Sequence, residues 1–75
     1  MSMTRPEYDR LLTPAFRVGI DRHTDPELLE EELHTLRGLL RMTQSGFDRQ
    51  VLVTKMQYIH DRLAQLAAET SEEEL

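Results

Sequence analysis

The sequence contains no cysteine and no tryptophan, and only two tyrosines and two phenylalanines occur among its 75 residues. Without cysteine sulfur, neither a disulfide nor a thiolate-ligated metal site can form. No stretch approaches the ~18 consecutive apolar residues of a membrane-spanning helix. A chain of this length allows one domain, whose single core supplies only ~3–5 kcal/mol. We therefore expect tight helix packing or oligomerisation to supply the remaining stability.

Positive charge is also scarce. Nine basic residues stand against fourteen acidic ones, which gives a net charge of −5 and a pI near 5.0. An acidic surface repels phosphate, so the overall charge argues against nucleic acid or an anionic membrane as the partner. Glu7, Asp9 and Arg10 lie where a secretory signal would need an apolar segment. We expect a cytoplasmic protein that does not bind membranes.

The clearest helix signal begins at Thr24-Asp25-Pro26-Glu27. Asp25 is a suitable N-cap residue, and Pro26 is tolerated at the first helical position because no intrahelical partner exists there for an N–H. The residues that follow predict a helix over about 26–42. The leucines that recur on one face of this helix are Leu29, Leu33, Leu36 and Leu40.

A second helix follows a short turn. Thr43-Gln44-Ser45 and Gly46 are typical of a turn, and Ser45 with Asp48 indicates a helix start, so we predict a helix over about 46–69. Its apolar residues repeat at the four-three spacing of a coiled coil: Leu52, Met56, Ile59, Leu63 and Leu66. Because the connection is so short, residues 24–69 should form an antiparallel two-helix hairpin.

The flanking segments are less regular. Residues 1–23 should form an irregular N-terminal arm, with a short helix near 5–12 that Pro14 ends. Phe16, Val18 and Ile20 alternate with polar residues or glycine, which favours an extended segment that packs across the hairpin or pairs with its copy in a dimer. The acidic residues 70–75 should form a disordered tail. The predicted fold class is therefore all-α.

The hairpin alone has too little core. Full burial of a leucine contributes ~1.5–3 kcal/mol, and one neighbouring helix buries it only in part. Partial burial does not offset an ordering cost of ~1.5 kcal/mol per residue. We therefore predict that the nine apolar residues named above form an oligomer seam in a homodimeric four-helix bundle, with a hetero-oligomer as the alternative. In outline, this topology resembles that of ROP-type plasmid regulators and other small two-helix adaptors.

Catalytic chemistry finds no support in the sequence. It has no cysteine nucleophile, no readable Ser-His-Asp arrangement and no glycine-rich phosphate loop, so we expect no enzyme activity. Glu30, His34 and His60 could approach one another, but bundle metal sites need several inward carboxylates with Glu-x-x-His pairs. We expect no metal and no cofactor.

Two surfaces are candidates for partner binding. Val51 and Tyr58 lie seven residues apart on one stripe, which is a partner groove if it is open and ordinary core if a dimer or the arm covers it. Arg37, Arg41 and Arg49 should meet at the hairpin tip. We therefore predict a small non-catalytic protein–protein interaction module, such as an adaptor, regulator or chaperone-like subunit, that acts as an oligomer. The alternative is a dimeric nucleic-acid-binding regulator that uses the arginine-rich tip.

Overall fold

Four helices account for almost all of residues 5–74, the part of the chain that the computed structural model describes. In chain order they are α1 (Arg5–Leu11), α2 (Pro14–Arg22), α3 (Pro26–Met42) and α4 (Gly46–Glu74). Within this part of the chain no residue adopts a β-strand, so the prediction of an all-α fold is confirmed. The short helix predicted near 5–12 corresponds to α1.

The caps of α3 and α4 match the sequence signals. The Asp25 side chain accepts a hydrogen bond from the Glu27 N–H at 3.0 Å, and Pro26 occupies the first turn. The Asp48 N–H donates to Ser45 Oγ at 3.4 Å at the start of α4. The predicted bounds of 26–42 for α3 and the predicted start of α4 at 46 are confirmed. The sequence could indicate both starts because each cap side chain bonds to an N–H no more than three residues away.

The predicted extended segment at 15–20 is wrong, because these residues lie inside α2. Thr13 caps this helix by accepting a hydrogen bond from the Phe16 N–H at 3.2 Å, and Pro14 stands in its first turn. Pro14 therefore ends α1 and also begins α2. Phe16 and Ile20 are four residues apart and face the core, whereas Val18 points outward and is exposed.

The predicted disordered tail at 70–75 is wrong for residues 70–74, which continue α4; Leu75 lies outside the described residues. Neither glycine nor proline follows Gly46, and residues 64–74 include three alanines and four glutamates, which favour a helix. At 29 residues, α4 is about 43 Å long. The molecule measures 46 Å along its longest axis.

The core lies where α3 packs against α4, and α2 covers it. Leu29 and Ile59 are completely buried, and α1 and α2 each pack against α4. The buried members of this core are Ile20, Leu29, Leu33, Leu36, Ile59 and Leu66, with Phe16, Leu52, Met56, Tyr58 and Leu63 packed against them. Of the nine residues predicted to form an oligomer seam, five are buried within one chain (Leu29, Leu33, Leu36, Ile59 and Leu66) and four are half-buried (Leu40, Leu52, Met56 and Leu63). The homodimeric four-helix bundle stays a prediction.

Candidate protein-interaction surface

Arg49, one of the three predicted tip arginines, is used inside the chain. Its Nη1 donates to the backbone oxygens of Leu40 at 2.9 Å and Thr43 at 3.0 Å. These carbonyls lie at the C-terminal end of α3, where the helix dipole is negative and backbone oxygens lack intrahelical partners. The dipole of α4 disfavours a positive charge in its first turn, where Arg49 lies. The contact of Arg49 with the carbonyls at the end of α3 explains why a cation stands there.

Arg62 has the same role at the end of α2, which the sequence did not indicate. Its Nε and Nη2 both donate to the His23 backbone oxygen, at 3.1 and 2.9 Å, and its Nη1 donates to Gln65 at 3.3 Å. His23 is the C-cap residue of α2. No local pattern could have identified this contact, because its two residues are 39 positions apart.

Arg37 and Arg41 lie on α3 and are exposed to solvent. Leu40, the last leucine of the predicted α3 stripe, is half-buried next to them. The predicted arginine tip is therefore divided: Arg49 stabilises the fold, and the other two guanidinium groups face outward.

Tyr58 does not present an open surface. Its hydroxyl donates to Asp21 at 2.7 Å, and its ring meets that of Tyr8 edge-on with the centroids 5.0 Å apart. The Phe16 ring lies 6.2 Å from the Tyr58 ring. The arm therefore covers the stripe of Val51 and Tyr58 at Tyr58. Of the two alternatives predicted for this stripe, an open partner groove or a covered core, Tyr58 follows the second. Val51, one heptad earlier, is half-buried.

An exposed apolar patch lies beside the α3–α4 connection. Met42, the last residue of α3, is 80% exposed, and Phe47, in the first turn of α4, is 66% exposed. Val51 lies one turn beyond Phe47 on the same side of α4. We call Met42, Phe47 and Val51 the loop-end patch. Of these three residues, only Val51 was predicted from the sequence, because Met42 and Phe47 lie outside the apolar stripes of both helices. Their positions on either side of the turn could have indicated that they are exposed.

The polar cluster beneath α1 and α2 is structural. The Tyr8 hydroxyl donates to Asp61, which also accepts from Gln57 at 3.1 Å. The cavity lined by Tyr8, Tyr58, Asp21 and Asp61, together with Arg62 and Gln65, measures about 160 Å³. Ligand sites usually measure ~300–1,000 Å³. All of these residues except Asp61 also line a larger open groove of about 590 Å³. The carboxylates of Asp21 and Asp61 accept hydrogen bonds within the chain.

Thr54 was also missed by sequence reasoning. It is completely buried on α4, and its hydroxyl donates to the Gln50 backbone oxygen at 2.7 Å. Because this hydrogen bond satisfies the hydroxyl within its own helix, Thr54 can be buried like a small apolar residue. It thus fills the core and contributes no group to a site.

Two further observations concern metals and membranes. Among residues 8–69, whose side chains the structure describes, no group of three histidine, aspartate or glutamate side chains is arranged to hold a metal ion, and this includes Glu30, His34 and His60. None of the described helices has the length and apolar content needed to cross a membrane.

Comparison of the chain with protein-family models, with curated proteins and with solved structures finds no significant match. The arguments about function therefore depend on the residues and their geometry.

Proposed function

We propose that this chain is a small non-catalytic protein–protein interaction module of the cytoplasm, acting as an oligomer. In this proposal α3 and α4 form an antiparallel hairpin that presents the loop-end patch to a partner protein. The observation that carries the proposal is the exposure of two large apolar residues, Met42 and Phe47, on either side of the three-residue connection between α3 and α4. Large apolar side chains that cluster on a surface are typical of interaction sites.

The charge beside the patch indicates the kind of partner. Arg41 precedes Met42 and is exposed, so a partner that inserts an apolar side chain beside a carboxylate would match both features. The division of the arginine tip supports a protein partner over nucleic acid, because Arg49 already donates to two carbonyls of the chain. Arg49 is exposed as well, but its guanidinium is engaged in these bonds, which leaves Arg37 and Arg41 as the tip arginines offered to a partner.

The test uses the full chain, immobilised, with three variants: Phe47→Ala, Arg41→Glu and the control Val53→Ala. Val53 is an exposed apolar residue of α4 outside the loop-end patch. We expect bound proteins to be retained by wild type and by Val53→Ala. Phe47→Ala should weaken their binding at least about tenfold, because central aromatic residues dominate interface energies.

Two results would count against the proposal. If the retained proteins bind the Phe47→Ala variant as tightly as they bind wild type, the loop-end patch is not the binding site. Retention of RNA or DNA that is lost at high salt and in the Arg37→Ala, Arg41→Ala double variant would favour the nucleic-acid alternative.

A further inference from the structure

An open packing site lies between α2 and α3. Four exposed residues of α3 have the i, i+3, i+4, i+7 spacing of the hole that receives a side chain when two helices pack: Leu28, Glu31, Glu32 and Thr35. Together with residues of α2 they line a groove of about 470 Å³, a volume in the range of ordinary binding sites. We call it the α2–α3 groove.

The two walls of the α2–α3 groove differ in polarity. The α2 wall carries Phe16 and Ile20, one helical turn apart, and between them Gly19 has no side chain. No heavy atom lies within 4 Å of a Cβ built at Gly19, so the space in front of it is open. The α3 wall carries Glu31 and Glu32, neither of which forms an ion pair with any side chain of residues 8–69. The groove therefore suits a large apolar side chain with a cation beside it.

The chain carries this combination at its loop end. Met42 and Phe47 are the two most exposed large apolar residues in the described part of the chain. Arg41 directly precedes Met42 and is exposed. Successive side chains leave a helix about 100° apart, so the guanidinium lies beside the loop-end patch and not within it. The patch thus offers apolar side chains with a cation at their edge.

The patch cannot reach the groove of its own chain. Met42 and the groove glutamates Glu31 and Glu32 belong to the same helix, ten to eleven residues apart, which is about 15–17 Å along the axis. Phe47 is held at the same end by the three-residue connection between α3 and α4. A contact between patch and groove therefore needs two copies of the chain.

We propose that the loop-end patch of one copy binds the α2–α3 groove of a second copy, with Phe47 in the groove and Arg41 beside Glu31 and Glu32 of the partner subunit. This rests on the proposed function, namely on the oligomer and on the loop-end patch, and it names the partner. The second copy is favoured over an unrelated protein because the two surfaces of this chain match each other in both polarity and charge.

The contact joins two different surfaces, so it is head-to-tail. Each copy in a pair keeps one free patch or one free groove, and further copies can add until a ring closes or a chain grows. We therefore expect the sedimentation coefficient of the full chain to rise with concentration. Added salt should weaken the association, because the charges that meet lie at the edge of the contact.

Two variants each remove one side of the contact. Phe47→Ala removes the inserted side chain, and Gly19→Leu fills the groove at a position where the added side chain meets open space and favours the helix. Each should weaken self-association at least about tenfold in sedimentation velocity. Val53→Ala and Ala64→Leu make matched changes at exposed positions of α4 and should associate like wild type.

Mixing the two variants gives the sharpest readout. Phe47→Ala keeps an intact groove, and Gly19→Leu keeps an intact patch. The mixture should form a complex with one copy of each, at close to the wild-type affinity for one contact. It should not grow beyond two copies, because the two remaining surfaces are both blocked.

Charge reversal tests the edge of the contact. Arg41→Glu should weaken self-association about tenfold, because it replaces attraction to the groove glutamates by repulsion. Adding Glu31→Arg to that variant should recover most of the loss. Adding Glu69→Arg instead, the same charge change on exposed α4, should recover none of it.

Two results would overturn the proposal: a wild-type chain that stays monomeric up to millimolar concentration, and a mixture of the two blocked variants that does not associate. The proposed function can be tested apart from it. A monomeric wild-type chain whose loop-end patch binds an unrelated protein, and whose Gly19→Leu variant binds it equally well, would refute only the head-to-tail contact. Self-association that Gly19→Leu abolishes and Phe47→Ala does not would refute the patch as the occupant of the groove.

Discussion

Replacing Arg62 by alanine should destabilise the fold more than any other surface substitution on α4. Its guanidinium donates twice to the His23 backbone oxygen, so it holds the C-terminal end of α2 against α4. A hydrogen bond from a charged donor contributes about 1.5–3 kcal/mol. Arg62 is half-buried, and water can replace part of what is lost. We therefore expect the free energy of unfolding to fall by about 2 kcal/mol.

Such a loss is a large share of the total. A chain of this length typically has about 4–11 kcal/mol of stability. Urea unfolding followed by circular dichroism measures the change, and the midpoint should fall by about 1–2 M. Arg62→Lys keeps the charge but loses the fork that makes two bonds to one oxygen, so its stability should lie between wild type and Arg62→Ala.

The control is Arg37→Ala, which removes an exposed arginine of α3. It is measured at a concentration low enough to keep the chain monomeric, and it should change the stability by less than about 0.5 kcal/mol. If Arg62→Ala also stays within about 0.5 kcal/mol of wild type, the Arg62–His23 contact does not hold α2 in place, and the reasoning fails.

Two further predictions concern glycine and core packing. Gly19→Ala should raise the melting temperature by about 2–8 °C, because alanine is more favourable than glycine inside a helix. Gly19 lies inside α2, and no heavy atom is within 4 Å of an added Cβ. A lower melting temperature would mean that α2 needs the glycine. Ile59→Ala should cost about 2–5 kcal/mol, because Ile59 is completely buried in the core. Urea unfolding checks this value, exposed Val53→Ala is the control, and equal losses for the two variants would contradict the assignment of the core.

The sequence predicted α3 well and α2 badly, although both begin with a capping residue followed by proline. At α3 the leucine spacing has only a helical interpretation. At α2 the apolar residues Phe16, Val18 and Ile20 fit both an alternating strand and a helix, since 16 and 20 are also four apart. The Thr13-Pro14 pair repeats the Asp25-Pro26 signal and would have decided for the helix.

The candidate site divides in the same way. That exposed apolar residues and arginines lie near the α3–α4 connection follows from their positions beside the turn. The sequence does not show which of them the chain itself uses, and contacts between distant residues decide this. Arg49 donates to the end of α3, and Tyr58 is covered by α1 and α2, so the surface open to a partner contains Met42 and Phe47 instead.

The sequence alone determined the helical class, the start of each long helix and the leucine stripes, because caps and periodicity act within one or two turns. Only the tertiary structure decided what covers those stripes. Tyr8 bonds to Asp61, Tyr58 to Asp21 and Arg62 to His23, across 53, 37 and 39 positions of the chain. Such contacts depend on how the arm folds back over α4, and no local pattern contains that information. The shortage of core predicted for 75 residues without cysteine is met in part by two arm helices.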